Sequence, residues 1–332
     1  MRPVTQKRLD KLDRIILQIL IENSRTPLSK IAKRVRLSKP GVFKRINAMI
    51  RDEIIFEFIP ITNPLSWGYQ MVGVFISIEP ATDEEATLQL KRCCNLWWLV
   101  RLSGRFDFFL VVLVKDMKKF YEIWGSILQK IRVRDWKVVA FDDYGFQPYE
   151  LLDVKSGLER KPEAYDIKSL DHIDAKILHA LRFNARANLL TLSKKTGVSA
   201  DRIKRKLDQL YNRGAIQRYF TNFDIFSLGL IPYLILLKVK GETRRESLKR
   251  YLYDSKHTCG VFSMIDEWSI SFIAEFYSIQ EFRLFLSELI HHFPEIIEYE
   301  SLLLLDQIVC DMFPQGVYEE LYPARESKQK TS

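Results

Sequence analysis

The chain has 332 residues, 47% hydrophobic and 28% charged, with only 13 glycines and 12 prolines. That excludes a disordered or collagen-like polymer and leaves room for roughly two to four domains with real cores. The formal net charge of +9 is uneven: residues 1–53 hold 14 basic against 5 acidic side chains, residues 166–218 hold 12 against 5, and the remainder holds 25 against 32.

The opening residues, MRPVTQKRLDK, lack the apolar stretch of a signal peptide. Leu12, Ile15, Ile16, Ile19 and Leu20 then recur at helical spacing, predicting an amphipathic helix over 9–23 with Asp10 as its N-cap and Asp13 in its first turn. Leu28, Ile31, Ala32 and Val35 predict a short second helix. Ser38 caps a third helix with the apolar stripe Val42, Ile46 and Met49. Three short helices with a tight turn between the last two make a helix-turn-helix.

Beyond it the period shortens to alternation. Residues 54–61 read as a β-wing or connecting strand, followed by strand 71–79, helix 83–95, strands 97–103 and 106–114, helix 116–130 and strand 135–144. This β-α-β-β-α-β order is the ferredoxin-like unit. One sheet face is left apolar, and a second such domain, in cis or from another chain, is the economical cover. No apolar run approaches the ~18 residues of a membrane span. The expectation is a soluble cytoplasmic protein with no membrane partner. Cys93, Cys94, Cys259 and Cys310 form no C-x-x-C pair and read as reduced thiols.

The whole pattern then repeats. Leu9-Asp10-x-x-Asp13 returns as Leu170-Asp171-x-x-Asp174, an offset of 161, and the register holds through Asn23/Asn184, Arg25/Arg186, Ser38/Ser199 and Ile55/Ile216. The predicted fold class is therefore α+β, two repeats of a (winged) helix-turn-helix followed by a βαββαβ domain. The boundaries are 1–61 and 62–145 for the first unit, a Pro- and Gly-containing linker over 146–168, 169–223 and 224–323 for the second unit, and a polar tail over 324–332.

Both basic segments coincide with the helix-turn-helix copies, as a paired footprint for a polyanion requires. A helix in the major groove needs base-reading side chains on its outer face and cations for phosphates. In the first copy the candidates are Ser38, Lys39, Gly41, Lys44, Arg45 and Asn47, with Arg25 and Lys33 as flanking phosphate contacts. In the second they are Ser199, Arg202, Lys204, Arg205 and Lys206, flanked by Arg186 and Lys194. Asp201 is an acidic blemish near that groove. The partner these residues imply is double-stranded DNA.

Leu9-Asp10-x-x-Asp13-x-x-Ile16-Leu17, Leu37-Ser38-x-x-x-Val42-x-x-Arg45-Ile46 and the turn Gly104-Arg105-Phe106-Asp107 resemble the Lrp/AsnC family of feast/famine transcription regulators, as does Arg213-Gly214-Ala215-Ile216 in the second copy. The resemblance covers nearly the whole chain, twice. It implies a DNA-binding domain joined to a RAM domain that dimerises through its sheet. It also implies operator binding as a homo-oligomer, or here as an intramolecular pseudo-dimer. A small amino-acid-like effector is implied as well, for which Gly104, Phe106 and Asp107 are the candidate contacts; a hairpin turn with a capping carboxylate is the alternative for these three. The second copy departs from the pattern: its turn reads Asp266-Glu267-Trp268-Ser269. The first departs too, with Glu53 where the second keeps Gly214.

No nucleophile elbow, phosphate loop or H-E-x-x-H is present, so no catalytic residue, metal or cofactor is expected. The enzymatic alternative is a siroheme decarboxylase, a class that resembles this two-domain fold and implies a His- and Tyr-bearing stretch in the central strands. Residues 97–104 and 258–265 contain neither, and His257 is the remaining candidate.

Overall fold

The computed structural model describes residues 9–80, 82–146 and 169–323. The predicted linker beyond Phe146 and the tail from 324 lie outside the described residues. The first unit comprises α1 (Lys11–Glu22), α2 (Leu28–Val35), α3 (Lys39–Arg51) and β1 (Ile55–Thr62). Its second half runs β2 (Gln70–Ile78), α4 (Asp83–Leu90), β3 (Leu96–Ser103), β4 (Phe108–Val114), α5 (Met117–Leu128) and β5 (Val133–Phe146). The second unit repeats this as α6 (His172–Leu181), α7 (Leu189–Thr196), α8 (Ala200–Asn212) and β6 (Ile216–Phe223). It continues as β7 (Ile231–Val239), α9 (Glu242–Asp254), β8 (Thr258–Ile265), β9 (Ile270–Phe276), α10 (Ile279–His292) and β10 (Ile296–Cys310). A further helix, α11 (Gln315–Leu321), has no counterpart among the described residues of the first unit.

The two sheets do more than stack. They close into one eight-stranded barrel in the order β10-β3-β4-β2-β5-β8-β9-β7. Each unit's long last strand pairs antiparallel with the other unit's β3 equivalent: β5 with β8, and β10 with β3. The expected cover for the apolar sheet face is thus supplied in cis, and closure removes the free edges of the barrel strands. Inside, Phe75 stacks on Phe109 at 4.3 Å, and Phe141 meets Phe262 across the junction at 5.7 Å. Outside, the alternate residues Val72, Val74 and Ile76 pack beneath Ala86, Leu90, Phe120 and Trp124 of α4 and α5. In the second unit Leu248, Leu252, Phe285 and Leu289 of α9 and α10 play the same part.

The strand after each third helix connects the halves. β1 and β6 pair with each other, and Ile59 stands opposite Phe220, its own counterpart 161 residues on. That register places a pseudo-two-fold axis between them. The flanking bonds obey it: Ser24 N–H donates to Tyr219 O and Ala185 N–H to Phe58 O, while Asn63 N–H donates to Ala215 O and Asp224 N–H to Ile54 O. Each helix-turn-helix core is consequently completed by the other unit. Phe223, Leu228 and Leu230 close the first, and Ile59 and Ile61 pack with the second.

The copies differ where the backbone turns left-handed. Arg36 and Glu53 sit at φ 54° where the second unit has Gly197 at 69° and Gly214 at 76°. A side chain in that region costs roughly 1–2 kcal/mol. Arg36→Gly and Glu53→Gly are each expected to raise stability by about 1 kcal/mol in denaturant melts; no gain from either would remove this account of the difference.

α11 marks a second asymmetry. It packs on α6, where Tyr318 stacks on His179 at 4.2 Å, and Arg182 bridges α6 to Asp311 and, at 3.1 Å, to Gln315. Glu57 on β1 lies close to this pair, and its Oε2 is buried without a hydrogen bond. Burial first, and then the Asp311 charge, push its carboxyl up to about 7 against the pull of Arg182. A carboxyl raised above its unfolded range holds its proton more tightly when folded. Its contribution is therefore full below the ordinary carboxylate range and is lost as pH rises through about 7. The thermal midpoint of Glu57→Gln should gain on that of the parent chain between about pH 5 and about pH 8. A constant difference across that window would show that Glu57 does not titrate there.

Candidate nucleic-acid interface

The first candidate reading helix is started by Ser38, whose Oγ accepts from Gly41 N–H at 3.2 Å, with Pro40 in its first turn. Burying Val42, Ile46 and Met49 turns Lys39, Phe43, Lys44 and Asn47 outward. Phe43 is 55% exposed. In α8 the buried stripe is Ile203, Leu207 and Leu210, and Arg202, Lys204 and Arg205 face out. Ser199 occupies the N-cap without a side-chain bond. Lys33 and Lys194 are exposed in the last turns of α2 and α7. Among the described residues, the side chains of Lys39, Lys44, Asn47, Arg202, Lys204 and Arg205 make no hydrogen bond or ion pair within the chain.

Four predicted contacts are engaged elsewhere. Arg45 reaches back to the start of α1, bonding Asp10 and Asp13 at 2.7 Å each. The capping box there, in which Asp13 N–H donates to Asp10 Oδ1 at 2.8 Å, holds the Asp10 carboxyl below its usual range, and Arg45 adds to the effect. Lys206 repeats the arrangement with Asp171 and, at 3.1 Å, Asp174. The Arg45 pairs are partly exposed, and such pairs contribute only about 0.2–1 kcal/mol, so little opposes their exchange for a phosphate.

Arg25 and Arg186 are different. Arg25 Nη1 donates to Ala185 O at 2.7 Å with its guanidinium over Tyr219, and Arg186 donates to Ser24 O and, at 3.3 Å, to Thr26 O. Each arginine thus clasps the other unit's turn after its first helix. Charge-assisted bonds of this sort contribute about 1.5–3 kcal/mol, so both side chains act as structural clamps between the units. Sequence position alone hides this, because a clamp and a phosphate contact look the same in a basic segment. Phe43 was legible but passed over: it falls outside the apolar stripe of its helix.

At the turn after β3, Gly104 has φ 143°, and a Cβ there would lie 2.8 Å from Leu302 Cδ2. Phe106 is buried. Asp107 Oδ2 accepts from Ile78 N–H at 2.8 Å and from Ser77 Oγ at 3.3 Å. Asp107 thus braces the end of β2, Phe106 packs on Phe75 of that strand at 5.3 Å, and Gly104 lets the turn approach β10.

A cavity of about 920 Å³ opens between the β1–β6 ribbon and the barrel strands β3, β8 and β10. Its described lining includes seven carboxylates, Asp52, Glu53, Asp83, Glu84, Asp224, Glu275 and Asp306, against two guanidiniums, Arg101 and Arg218. Arg101 is already paired with Asp83 and bonded to Thr87 Oγ1 at 2.9 Å. No His, Tyr or Lys is among the described lining residues. His257 lies in the helical layer outside the barrel, stacked on Phe276 at 4.8 Å.

Comparison with known proteins agrees with this architecture. A winged helix-turn-helix DNA-binding model matches residues 9–55, and an AsnC-type helix-turn-helix model matches residues 170–210. An uncharacterised HTH-type transcriptional regulator of Pyrococcus abyssi is 32% identical over 125 residues, spanning 37% of this chain and 77% of the relative. The HTH-type transcriptional regulator LrpA of Pyrococcus horikoshii is 30% identical over 124 residues, spanning 37% of this chain and 88% of its own length. Over the full length, the chain has the fold of the siroheme decarboxylase NirDL, with a TM-score of 0.60 at 15% identity, covering 94% of this chain and 98% of that one. Among the described residues, no helix is long and apolar enough to cross a membrane.

Proposed function

The chain belongs to the Lrp/AsnC family of helix-turn-helix transcription regulators, and from that premise we propose that it binds double-stranded DNA and reads two unlike half-sites with α3 and α8. The observation that carries the reading is the set of exposed, unengaged cations on the third helix of both units, in an otherwise acidic chain. A groove-facing helix spends such side chains on phosphates and base edges.

The pseudo-symmetry relates the two helices but not their chemistry. Outward positions pair as Lys39 with Ala200, Pro40 with Asp201, Gly41 with Arg202, Phe43 with Lys204 and Asn47 with Asp208. Lys44 and Arg205 alone keep the same charge among these six pairs. Phe43 offers an apolar contact suited to a thymine methyl, whereas Lys204 offers a donor suited to guanine. A two-fold protein with two such faces suits an operator whose halves differ.

The enzymatic reading draws on the fold shared with siroheme decarboxylase, at an identity that speaks for fold alone. The charge in the cavity argues against carrying it over. Among the described lining residues a tetrapyrrole rich in carboxylates would meet six carboxylates beyond the Arg101–Asp83 pair, against Arg218, and His257 lies on the other side of the sheet. We therefore read the chain as a regulator and not as an enzyme.

Titration of random duplex by fluorescence anisotropy at two salt concentrations should show affinity falling steeply, with about 0.9 in log–log slope per phosphate neutralised. Lys44→Ala and Arg205→Ala are each expected to lower that slope by about one, whereas Lys115→Ala on the barrel leaves it unchanged. Salt-independent binding would reject the proposal. Once an operator is in hand, Phe43→Ala should relax base preference in one half-site only. Equal relaxation in both halves would mean that α3 and α8 are used interchangeably.

A further inference from the structure

The two third helices differ most along their outermost line. In α8 the buried stripe Ile203, Leu207 and Leu210 fixes which residues lie opposite it. At about 100° per residue these are Asp201, Arg205 and Asp208, spaced i, i+4, i+7 on one face, and all three are exposed. Arg202 stands roughly 100° round the helix from Asp201 on one side, and Lys204 roughly 60° on the other. The face is thus a carboxylate–guanidinium–carboxylate line with a cation on each flank. The equivalent line of α3 reads Pro40, Lys44 and Asn47 and carries no carboxylate.

Helix stability does not account for both acids. Asp201, in the first turn of α8, complements the dipole there. Asp208 lies in the C-terminal half and gains nothing from it. It follows Lys204 by four residues, the weaker order for a helical ion pair, and the two do not pair. Among the described residues, neither the Asp201 nor the Asp208 side chain makes a hydrogen bond or ion pair within the chain.

In a major groove the phosphates run along both walls and the base edges form the floor. A helix seated there holds its flanks near phosphates and its central line over bases. Cations on the flanks and acceptors at the centre fit that layout. Cytosine N4 and adenine N6 both present amino donors, but adenine sets its N7 acceptor beside the amino group, where a carboxylate, an acceptor only, meets repulsion. Phosphates repel the same carboxylates, which weakens the hold on non-cognate duplex and sharpens the choice.

We propose that Asp201 and Asp208 are specificity-determining residues that accept hydrogen bonds from cytosine amino groups, so that the half-site under α8 carries C·G pairs, with the neighbouring cations donating to phosphates and to the paired guanine. The inference rests on the reading of the chain as a duplex-binding regulator and adds the base class of one half-site.

The test selects bound sequences from a random duplex pool with the full chain and with its Asp201→Asn and Asp208→Asn variants. The parent chain is expected to enrich cytosine in one half of the selected site, and exchanging such a C·G pair for A·T should weaken it about tenfold. Asparagine both accepts and donates, as adenine requires, and Asn47 holds the place of Asp208 in α3. Asp208→Asn should therefore move the preference at one position of that half from cytosine to adenine, and Asp201→Asn should do so at another. Both variants should also bind random duplex about two- to fivefold more tightly than the parent, since each removes a charge that phosphates repel. Absence of cytosine enrichment, base preferences unchanged in both variants, or random-duplex binding that neither variant strengthens would each overturn the assignment. Failure of the parent chain to bind any duplex would reject the regulator reading itself, and this inference with it.

Discussion

The antiparallel pairing of β1 with β6 is the constraint on which the rest of this molecule hangs. Because Ile59 meets its own counterpart Phe220, the register fixes a single axis, and the contacts around the ribbon follow it. The reciprocal reach of Arg25 and Arg186 follows, as do the exchanged core residues and the joining of β5 to β8 and β10 to β3. A slip of one residue would turn Ile59 and Ile61 out of the core they complete, so burial enforces the register as strongly as hydrogen bonding does.

The elements themselves were legible in the amino-acid sequence because the period changes from helical to alternating at the same place in both copies. Asp10 and Asp171 do cap their helices through reciprocal bonds with Asp13 and Asp174. What the pattern does not encode is which strand lies beside which. Alternation in residues 55–62 suits a wing, an edge strand or a ribbon equally, and the choice among them is made by tertiary contacts between the units. α11 escaped for a related reason: QGVYEEL offers Val317 as its single aliphatic anchor before Leu321, and it is held by Tyr318 on His179. The same logic separates the two kinds of cation. Lys44 and Arg205 remain outward as spacing suggests, whereas Arg25 and Arg186 are claimed by carbonyl groups 160 and 162 residues away, a distance no local pattern reports.

Electrostatics divides the molecule into regions of unlike charge. The third helices α3 and α8 are basic and solvent-facing, whereas the described lining of the cavity is carboxylate-rich and aromatic. The ribbon that separates the two contributes to both, since it follows the third helix in each unit and roofs the cavity. Glu57, whose carboxyl burial pushes up to about 7, lies on that same strand.

Joining the two halves in one polypeptide also changes what dilution does. Two separate subunits must find each other before they can grip a duplex at two points, so their occupancy falls off sharply when few copies are present. Here α8 travels with α3 at an effective concentration set by the fold itself. A cell holding only a handful of molecules would still present both helices together, and the two halves, joined in one chain, can differ in sequence as Phe43 and Lys204 do.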